Sequence, residues 1–275
     1  MNPEAVVVAA GCYAQAAGEA LLEDGAVDII VGNDRKHELP ELLDAWFDGR
    51  KKQYALDDIG KSRSFEEMPA ECSDHARAFL KVEDGCNQFC SYCLIPYVRG
   101  RVRSRRQEDV LSEARQLAEK GYPEIVLTGI HVSSYGLDFV GDADAQGGYG
   151  APLIRLLEAL DEIPGIERIR LGSLEPRIIT EENVKALAAL KHLCPHFHLS
   201  LQSGCEETLK RMNRRGSAEW IKSRIAECRK RGILLRTTMI VGFPGETEEQ
   251  FRTLLDFVKE ARFERLGAFT YSLEE

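Results

Sequence analysis

Apolar and polar positions follow two periods along the chain, and their order predicts a parallel α/β structure. Near the start, apolar runs at 6–11 and 27–32 have the length of buried strands, and the stretches after them, 13–24 and 37–47, have the spacing of helices. This β–α–β–α order is typical of a parallel sheet. Because two strands are too few to bury a core, we interpret residues 1–52 as the remainder of a small parallel α/β domain that lacks an upstream part.

Predicted strands and helices alternate again from residue 77 to residue 275. The strands cover 79–83, 124–128, 166–171, 197–201, 233–241 and 266–271. The helices cover 107–120, 153–160, 181–193, 218–231 and 248–262, and Thr180, Ser217 and Thr247 precede the last three as caps. Since a closed TIM barrel has eight such units, the predicted fold class is α/β, a partial (β/α)6 barrel. The polar, aperiodic segment 53–76 is interpreted as the linker between the two domains.

The carboxyl ends of parallel strands carry the chemistry in such folds. Here those ends fall at 85–93, 129–131, 172–175, 202–204 and 242–245. In the strand 197–201 and its flanks, alternation places His196, His198, Ser200 and Gln202 on one face and apolar residues on the other. The apolar face must meet the helices, so the polar face lines the barrel and indicates that something polar is bound there.

Composition and charge narrow the class of protein. With 44% hydrophobic and 29% charged residues among 275, the chain has a globular composition. We expect a cytoplasmic protein without membrane contact, because no apolar run approaches the ~20 residues that cross a bilayer and no secretory signal is present. The net charge of −9 excludes coating of nucleic acid by bulk charge. Such contact needs a local basic patch, and the candidate is the run of Arg99, Arg101, Arg103, Arg105 and Arg106.

Three of the eight cysteines, Cys86, Cys90 and Cys93, lie within eight residues of one another. Thiolates in such a group bind zinc, cuprous copper or iron–sulfur clusters. Structural zinc sites use four ligands, usually as two separated pairs, and cubane clusters normally take four cysteines. Three cysteines on a polar loop therefore indicate a cluster with one iron open to a non-protein ligand. The alternatives from another class are a zinc-binding module and an inactive fragment.

The spacing of these cysteines, with Tyr92 before the last of them, resembles the cluster loop of radical S-adenosylmethionine (SAM) enzymes. The wider run 84–106 resembles the methylthiotransferase branch of that superfamily. Further segments that resemble this branch are 129–136, 173–176, 201–204 and 241–247. The resemblance covers nearly the whole chain.

The resemblance implies a [4Fe–4S] cluster held by Cys86, Cys90 and Cys93, with SAM chelated to its open iron. It further implies reductive cleavage of SAM to a 5′-deoxyadenosyl radical, with a reductant such as flavodoxin or ferredoxin. The residues that it implies as SAM contacts are Tyr92, Gly129, Ser173, Glu175, Gln202 and Gly242. It assigns no further catalytic residue.

A second [4Fe–4S] cluster, which provides the sulfur, is implied for the full-length enzyme. Cys12, in the segment 9–15, resembles the last of its three ligands, and the other two would lie upstream of this sequence. The C-terminal RNA-binding TRAM domain of the family is also missing. We therefore expect a fragment that holds the first cluster and does not, by itself, hold the second.

The motifs point to two substrates. Segments 99–105, 127–131, 173–176 and 193–199 resemble the enzyme that methylthiolates C2 of N6-threonylcarbamoyladenosine in the tRNA anticodon loop. Segments 236–240 and 261–272 resemble the branch that modifies an aspartate of a small-subunit ribosomal protein. Because the central region includes the cluster loop and most strand ends, we expect tRNA to be the substrate, with the ribosomal protein as the alternative.

Overall fold

The computed structural model describes residues 2, 4–18, 20–23, 25–66, 76–139 and 147–273. These residues form two compact units. The first contains the described residues up to 66 together with Gly85–Phe89 and Cys93–Arg101. The second contains residues 76–84, Cys90–Tyr92 and the described residues from 102 onward.

The first unit is built on a three-stranded parallel sheet. Its strands, in order across the sheet, are β1 (Val8–Ala10), β2 (Ile29–Val31) and β3 (Gln53–Ala55). The central strand β2 is apolar throughout because both of its faces are buried. Ile30 packs with Ala14 and Leu21 on one face, while its two neighbours in the strand pack with Trp46 on the other.

The first unit corrects two predictions. Its helices are α1 (Cys12–Ala17), α2 (Ala20–Glu23), α3 (Leu39–Gly49) and α4 (Ile95–Val98). The single helix predicted over residues 13–24 is wrong, because Gly18 takes a φ of 53° directly after α1. The start of the predicted linker is also wrong, since β3 pairs in parallel with β2 and extends this unit beyond residue 52. Residues 67–75 of the predicted linker, Cys72 among them, lie outside the described residues.

The second unit contains the six predicted barrel strands in two sheets. The sheets have the orders β5–β4–β6–β7 and β8–β9–β10. The strands are β4 (Arg77–Asp84), β5 (Arg103–Ser104), β6 (Glu124–Gly129), β7 (Arg168–Leu171), β8 (His196–Gln202), β9 (Leu234–Val241) and β10 (Arg265–Thr270). Neighbouring strands are parallel except for β5, which runs antiparallel to β4. Isolated parallel bridges from Ile169 to Leu193 and from Leu174 to Leu199 join the two sheets.

Helices cover one face of these strands and form a continuous apolar core with them. They are α5 (Gln107–Glu119), α6 (Ala151–Asp161), α7 (Glu181–Ala189), α8 (Glu206–Arg211), α9 (Ala218–Lys230) and α10 (Glu248–Ala261). The predicted caps are confirmed: the side chains of Thr180, Ser217 and Thr247 each accept a backbone N–H from the first turn of the helix that follows. The short helix α8 and the two-residue strand β5 were not predicted.

Strand β8 confirms the predicted alternation. Phe197, Leu199 and Leu201 are 1%, 0% and 1% exposed, and the four polar residues that alternate with them are half-buried. The sheet therefore has an apolar face against the helices and a polar face away from them. Among the described residues, no helix combines the length and apolar character needed to cross a membrane.

Candidate functional site

The cysteine loop starts at a position that requires glycine. Gly85 follows β4 with a φ of 81°, and a Cβ added to it would lie 2.0 Å from the carbonyl oxygen of Arg101. Cys86 then donates its backbone N–H to the carbonyl of Gly100 at 3.0 Å. This close approach of two backbone segments fixes the first cysteine of the loop within the first unit.

Cys86 and Cys93 both belong to the first unit. Cys86 is buried, and its Sγ accepts the backbone N–H of Gln88 at 3.4 Å. Cys93 is half-buried. Neither cysteine forms a disulfide, and the same holds for the other cysteines among the described residues.

Cys90 belongs to the second unit, where its sulfur contacts a buried arginine. Nη1 of Arg214 lies 3.6 Å from Cys90 Sγ. Nη2 of the same guanidinium donates to Oε2 of Glu175 at 3.1 Å and to the backbone carbonyl of Ser200. Because the Arg214 side chain is 9% exposed, these contacts are made away from water.

Backbone contacts bring Cys90 and Arg214 together. The residue after Cys90, Ser91, donates its backbone N–H to the carbonyl of Met212 at 3.1 Å and its hydroxyl to the carbonyl of Arg211 at 2.7 Å. Both acceptors lie at the end of α8, directly before the segment that carries Arg214. The unpredicted helix α8 thus anchors the middle of the cysteine loop.

Glu175, which follows β7, is held as an ionised carboxylate. It is 6% exposed, and its backbone N–H donates to Ser133 Oγ at 2.9 Å. Nε2 of His131 lies 3.8 Å from Glu175 Oε2, which is an electrostatic contact and too long for a hydrogen bond. Burial by itself would raise the pKa of Glu175, but the His131 ring and the Arg214 charge outweigh it and lower the pKa below its usual range.

Tyr92 is placed beside the same arginine. Burial raises the pKa of Tyr92, and the positive charge of Arg214 offsets this only in part, so the phenol is neutral. Its ring meets Phe243 edge-on with centroids 6.4 Å apart, and Phe243 meets Tyr271 in the same manner at 5.3 Å. The aromatic residue before the last cysteine therefore packs against the segments that follow β9 and β10.

The end of β6 packs on a buried carboxyl group. Glu83, in β4, is 0% exposed, and its Oε2 accepts the backbone N–H of His131 at 2.7 Å. A Cβ on Gly129 would lie 2.8 Å from the same oxygen and 3.0 Å from the Glu83 carbonyl oxygen, so a side chain here would displace Glu83. Burial raises the pKa of Glu83 to about 8, and the side chain is therefore protonated at neutral pH.

A histidine stands in the polar face of β8. Nδ1 of His198 lies 3.0 Å from Ser173 Oγ, and its Nε2 lies 3.1 Å from Thr238 Oγ1 in β9. Burial, and then the neighbouring Arg236, lower the pKa of His198, so the ring is neutral at pH 7. Arg236 is the register partner of His198 and is exposed.

The two remaining predicted SAM contacts stand at strand ends. Gln202 closes β8 with a φ of 69°, which is uncommon for a residue other than glycine. Gly242 follows β9 with a φ of 71° and donates its N–H to Glu246 Oε2 at 2.6 Å. The structure thus groups Cys90, Tyr92 and Glu175 around Arg214, while Gly129, Ser173, Gln202 and Gly242 make separate contacts at their own strand ends.

The arginine run does not form one exposed patch. Arg103 and Arg105 are 2% and 9% exposed, because β5 pairs with the end of β4 and turns this segment inward. Arg105 pairs with Glu113 of α5. The prediction that the run contacts phosphates is wrong for these two residues. Arg101 and Arg106 are the exposed members.

Cys12 is the first residue of α1, directly after β1 and Gly11. Its Sγ accepts a hydrogen bond from Nε of Arg99 at 3.1 Å and a second from Nδ2 of Asn33 at 3.6 Å. The same amide nitrogen donates to the Val98 carbonyl at 2.7 Å, and Asn33 is 1% exposed. The half-buried Cys12 thiol therefore has two fixed donors within the first unit.

Residues 80–258 match the sequence profile of the Radical SAM superfamily. This chain belongs to the radical SAM superfamily. The resemblance drawn from the cysteine spacing is confirmed. The superfamily match lies in the region that carries Cys86, Cys90, Cys93 and the strand ends described above.

Relatives of known name extend the similarity to almost the whole chain. The chain is 38% identical over 98% of its length to the threonylcarbamoyladenosine tRNA methylthiotransferase MtaB of Bacillus subtilis, of which it covers 59%. It is also 38% identical over 98% of its length to the tRNA-2-methylthio-N(6)-dimethylallyladenosine synthase of a Thermoanaerobacter species, of which it covers 57%. The chain thus spans less than two thirds of either relative.

A solved structure shares the fold. The radical S-adenosylmethionine methyltransferase TsrM of Kitasatospora setae superposes with a TM-score of 0.56 at 22% identity, over 70% of this chain and 34% of TsrM. Together with the parallel order of the six strands, this similarity confirms the predicted partial radical SAM barrel.

The donor set of the loop suits the iron–sulfur chemistry of a radical SAM enzyme. Its three cysteines form no disulfide, and the sulfurs of Cys86 and Cys90 already face N–H donors of the kind that surround cluster thiolates. In a cubane each thiolate binds its own iron, so the three sulfurs do not converge on one point. Among the described residues, no three His, Cys, Asp or Glu side chains converge on a position for a single metal ion.

Sequence reasoning missed the residues that connect this candidate site. Arg214, Glu83 and His131 carry its buried polar contacts. Glu83 and His131 stood at predicted strand ends, but neither was predicted as a site residue. Arg214 lies in a charged stretch that reads as solvated surface. A usable signal for Glu83 is its place at the end of an apolar strand, where an acidic residue is unusual.

Proposed function

We propose that this protein is a radical SAM methylthiotransferase that inserts a methylthio group at C2 of N6-threonylcarbamoyladenosine in the tRNA anticodon loop. The observation that carries the proposal is the buried contact of Cys90 with Arg214, which Glu175 neutralises, at the carboxyl ends of the barrel strands. The 38% identity to the tRNA methylthiotransferase MtaB supports the transferred group and the substrate.

Cys86, Cys90 and Cys93 would hold a [4Fe–4S] cluster, which when bound supplies the electron for reductive cleavage of SAM. The chain's own residues would bind and orient SAM. The proposed contacts are Tyr92, Gly129, Ser173, Glu175, Gln202 and Gly242. Glu175 has the strongest support, because a carboxylate that is ionised, buried and fixed by Arg214 suits the ammonium group of SAM.

Cys12 would be a ligand of the second, sulfur-providing [4Fe–4S] cluster. Its position after a parallel strand and its two hydrogen-bond donors, Arg99 and Asn33, suit a ligating thiolate. The two further cysteines of that cluster have no counterpart in the present sequence. A flavodoxin or ferredoxin is the proposed electron donor.

The polar face of the second unit favours a substrate with a negative charge. His198 neighbours Arg236 in register, and Arg170, Arg236 and Arg265 together contribute to lowering the pKa of His196 after the effect of burial. Arg236 lies two residues before Thr238, about 7 Å along the strand. Arg170 already donates to Glu124 at 2.6 Å. A threonylcarbamoyl group carries a carboxylate that Arg236 and Arg265 suit, whereas a dimethylallyl group carries no charge.

A second candidate substrate is favoured by the same observation. An aspartate side chain of a ribosomal protein also carries a carboxylate, so the basic face does not separate it from threonylcarbamoyladenosine. The motif at residues 236–240 includes Arg236 and resembles the branch that modifies such an aspartate. The similarity to MtaB makes tRNA the first candidate.

The test compares modifications in cells with and without the gene. We expect deletion to replace 2-methylthio-N6-threonylcarbamoyladenosine by its unmodified parent nucleoside in digests of total tRNA, as measured by mass spectrometry. The matched control is the dimethylallyl nucleoside, which should keep its methylthio group. Loss of the group from that nucleoside, or from the ribosomal-protein aspartate with tRNA unchanged, would contradict the proposal.

A further inference from the structure

Arg214 joins three elements of the second unit at one guanidinium. Its nitrogens contact the thiol of Cys90 after β4 at 3.6 Å, the carboxylate of Glu175 after β7 at 3.1 Å, and the carbonyl of Ser200 in β8. None of the segments that resemble the methylthiotransferase branch includes this residue. Its connections are therefore a finding of the structure.

The burial of this guanidinium calls for a compensating charge. An arginine removed from water is costly unless its charge is paired and its N–H groups are accepted. Glu175, with a side chain 7% exposed, provides the opposite charge, and Ser200 provides a carbonyl. With these two partners the cation is compensated before the sulfur is considered, so the N–H aimed at Cys90 is an additional contact.

We propose that Arg214 is a positioning residue that fixes Cys90 relative to Glu175 and makes the cluster easier to reduce. The inference rests on the proposed function in that Cys90 must be a cluster ligand. A positive charge with an N–H donor at a ligating sulfur stabilises the extra electron of the reduced cluster and raises its reduction potential. The negative charge of Glu175, on the other guanidinium nitrogen, acts in the opposite direction.

The test is a redox titration of the reconstituted protein, followed by the electron paramagnetic resonance signal of the reduced cluster. Arg214→Met keeps an unbranched apolar side chain in place of the arginine stem and removes the charge and the donors, so we expect a more negative midpoint potential than in the parent. Arg214→Lys keeps the charge and should recover most of the parent value. Glu175→Gln removes the negative charge and leaves Arg214 near Cys90, so we expect a more positive potential.

The opposite signs separate an electrostatic role from a structural one. Loosening of the site would move Arg214→Met and Glu175→Gln in the same direction, since both break the same ion pair. The control is Arg215→Met, which removes an exposed neighbouring charge and should leave the potential at the parent value. If Arg214→Met does not fold, the positive shift in Glu175→Gln and the parent-like value of Arg214→Lys carry the test.

Unchanged potentials in Arg214→Met and Glu175→Gln, or shifts of the same sign, would overturn the inference. Failure of the proposed function would give different experimental results. In that case the parent protein binds no cluster, or it binds a cluster whose potential responds as expected while no methylthio product forms on tRNA.

Discussion

Cys12 in the first unit and Cys90 in the second both face an arginine. Arg99 donates to Cys12 at 3.1 Å, and Arg214 approaches Cys90 at 3.6 Å. The contacts are similar in chemistry, since each places a cation and an N–H donor at a cysteine sulfur. Each cysteine is also half-buried.

The surroundings of the two contacts differ. The second donor to Cys12 is the neutral amide of Asn33, and Arg99 is half-buried. The side chain of Arg214 is only 9% exposed, and its guanidinium forms an ion pair with the buried carboxylate of Glu175. An arginine–sulfur contact does not by itself determine how much the stability of a unit depends on that arginine. We expect the dependence to be set by how deeply the guanidinium is buried and by which group neutralises its charge.

The largest expected effect separates the two cysteines by function. Cys90→Ala should reduce iron content and bring SAM cleavage to background, because the proposed first cluster would lose a ligand. Cys12→Ala should leave SAM cleavage intact and abolish the methylthio product, because the proposed sulfur-providing cluster would lose a ligand. Cleavage is measured as 5′-deoxyadenosine by chromatography, with Cys194→Ala as the control. SAM cleavage that persists in Cys90→Ala would contradict the different roles proposed for the two cysteines.

The second effect concerns stability. Arg214→Met removes the ion-pair partner of the buried Glu175 carboxylate, near which His131 and Arg177 remain, and breaking a buried pair in this way costs about 3–5 kcal/mol of unfolding free energy. Arg99→Met removes the hydrogen bond to the half-buried Cys12 thiol, and the loss of this bond should contribute about 1 kcal/mol.

The two tryptophans allow each unit to be followed separately in urea. Trp46 lies in α3 of the first unit and Trp220 in α9 of the second, so fluorescence is read in Trp220→Phe and Trp46→Phe backgrounds respectively. Arg215→Met serves as the exposed control. Equal losses in the two units would show that depth and partner do not distinguish the contacts.

The third effect is a pH dependence. The pKa of Glu83 is raised by burial from its usual 4.5 to about 8, so between these values the unfolded chain loses a proton that the folded chain keeps. Stability from this group is complete below pH 4.5 and falls by about 1.4 kcal/mol per pH unit up to pH 8. Glu83→Gln retains an acceptor for the His131 N–H and lacks this loss. Its stability relative to the parent should therefore rise from pH 5 to pH 7.5.

The first unit supplies the control of opposite sign. The pKa of Glu38 is lowered chiefly by its hydrogen bond from Arg35, so its contribution is present above the usual pKa and is lost on acidification. Glu38→Gln should make the first unit less dependent on pH at the acid end and leave the neutral range unchanged. A parallel response of Glu83→Gln and Glu38→Gln would contradict the burial of Glu83.

The strands of the barrel were predictable from the sequence because each is an apolar or alternating run that ends at glycine or at a polar turn. The period-2 pattern of β8 appears in its exposures, and the hydroxyl residues before α7, α9 and α10 act as caps. These features depend on local conformational propensity and on the burial of one face of each strand or helix. Both can be recognised in a single sequence.

The contacts that join the site were not predictable, because they depend on distant segments. β5 has two residues and no apolar signal, yet its pairing with β4 buries Arg103 and Arg105 in what reads as a surface run. Arg214 likewise lies in a charged stretch and is buried only because Cys90, Glu175 and Ser200 converge on it. In neither segment does a periodic pattern of apolar residues indicate that these arginines are buried.

The smallest expected effect tests the polar face of β8. Strand β2 of the first unit is buried on both faces and has no such polar face. Thr238→Val preserves shape and removes the hydroxyl that holds His198 Nε2 at 3.1 Å. If His198 and Arg236 contact the carboxylate of the substrate, this loss should cost about 1 kcal/mol, or about five-fold in kcat/KM for tRNA. Thr253→Val, on the exposed face of α10, is the control. A loss in kcat/KM with SAM cleavage unchanged assigns this face to the substrate, whereas an equal loss in cleavage would assign it to the cofactor.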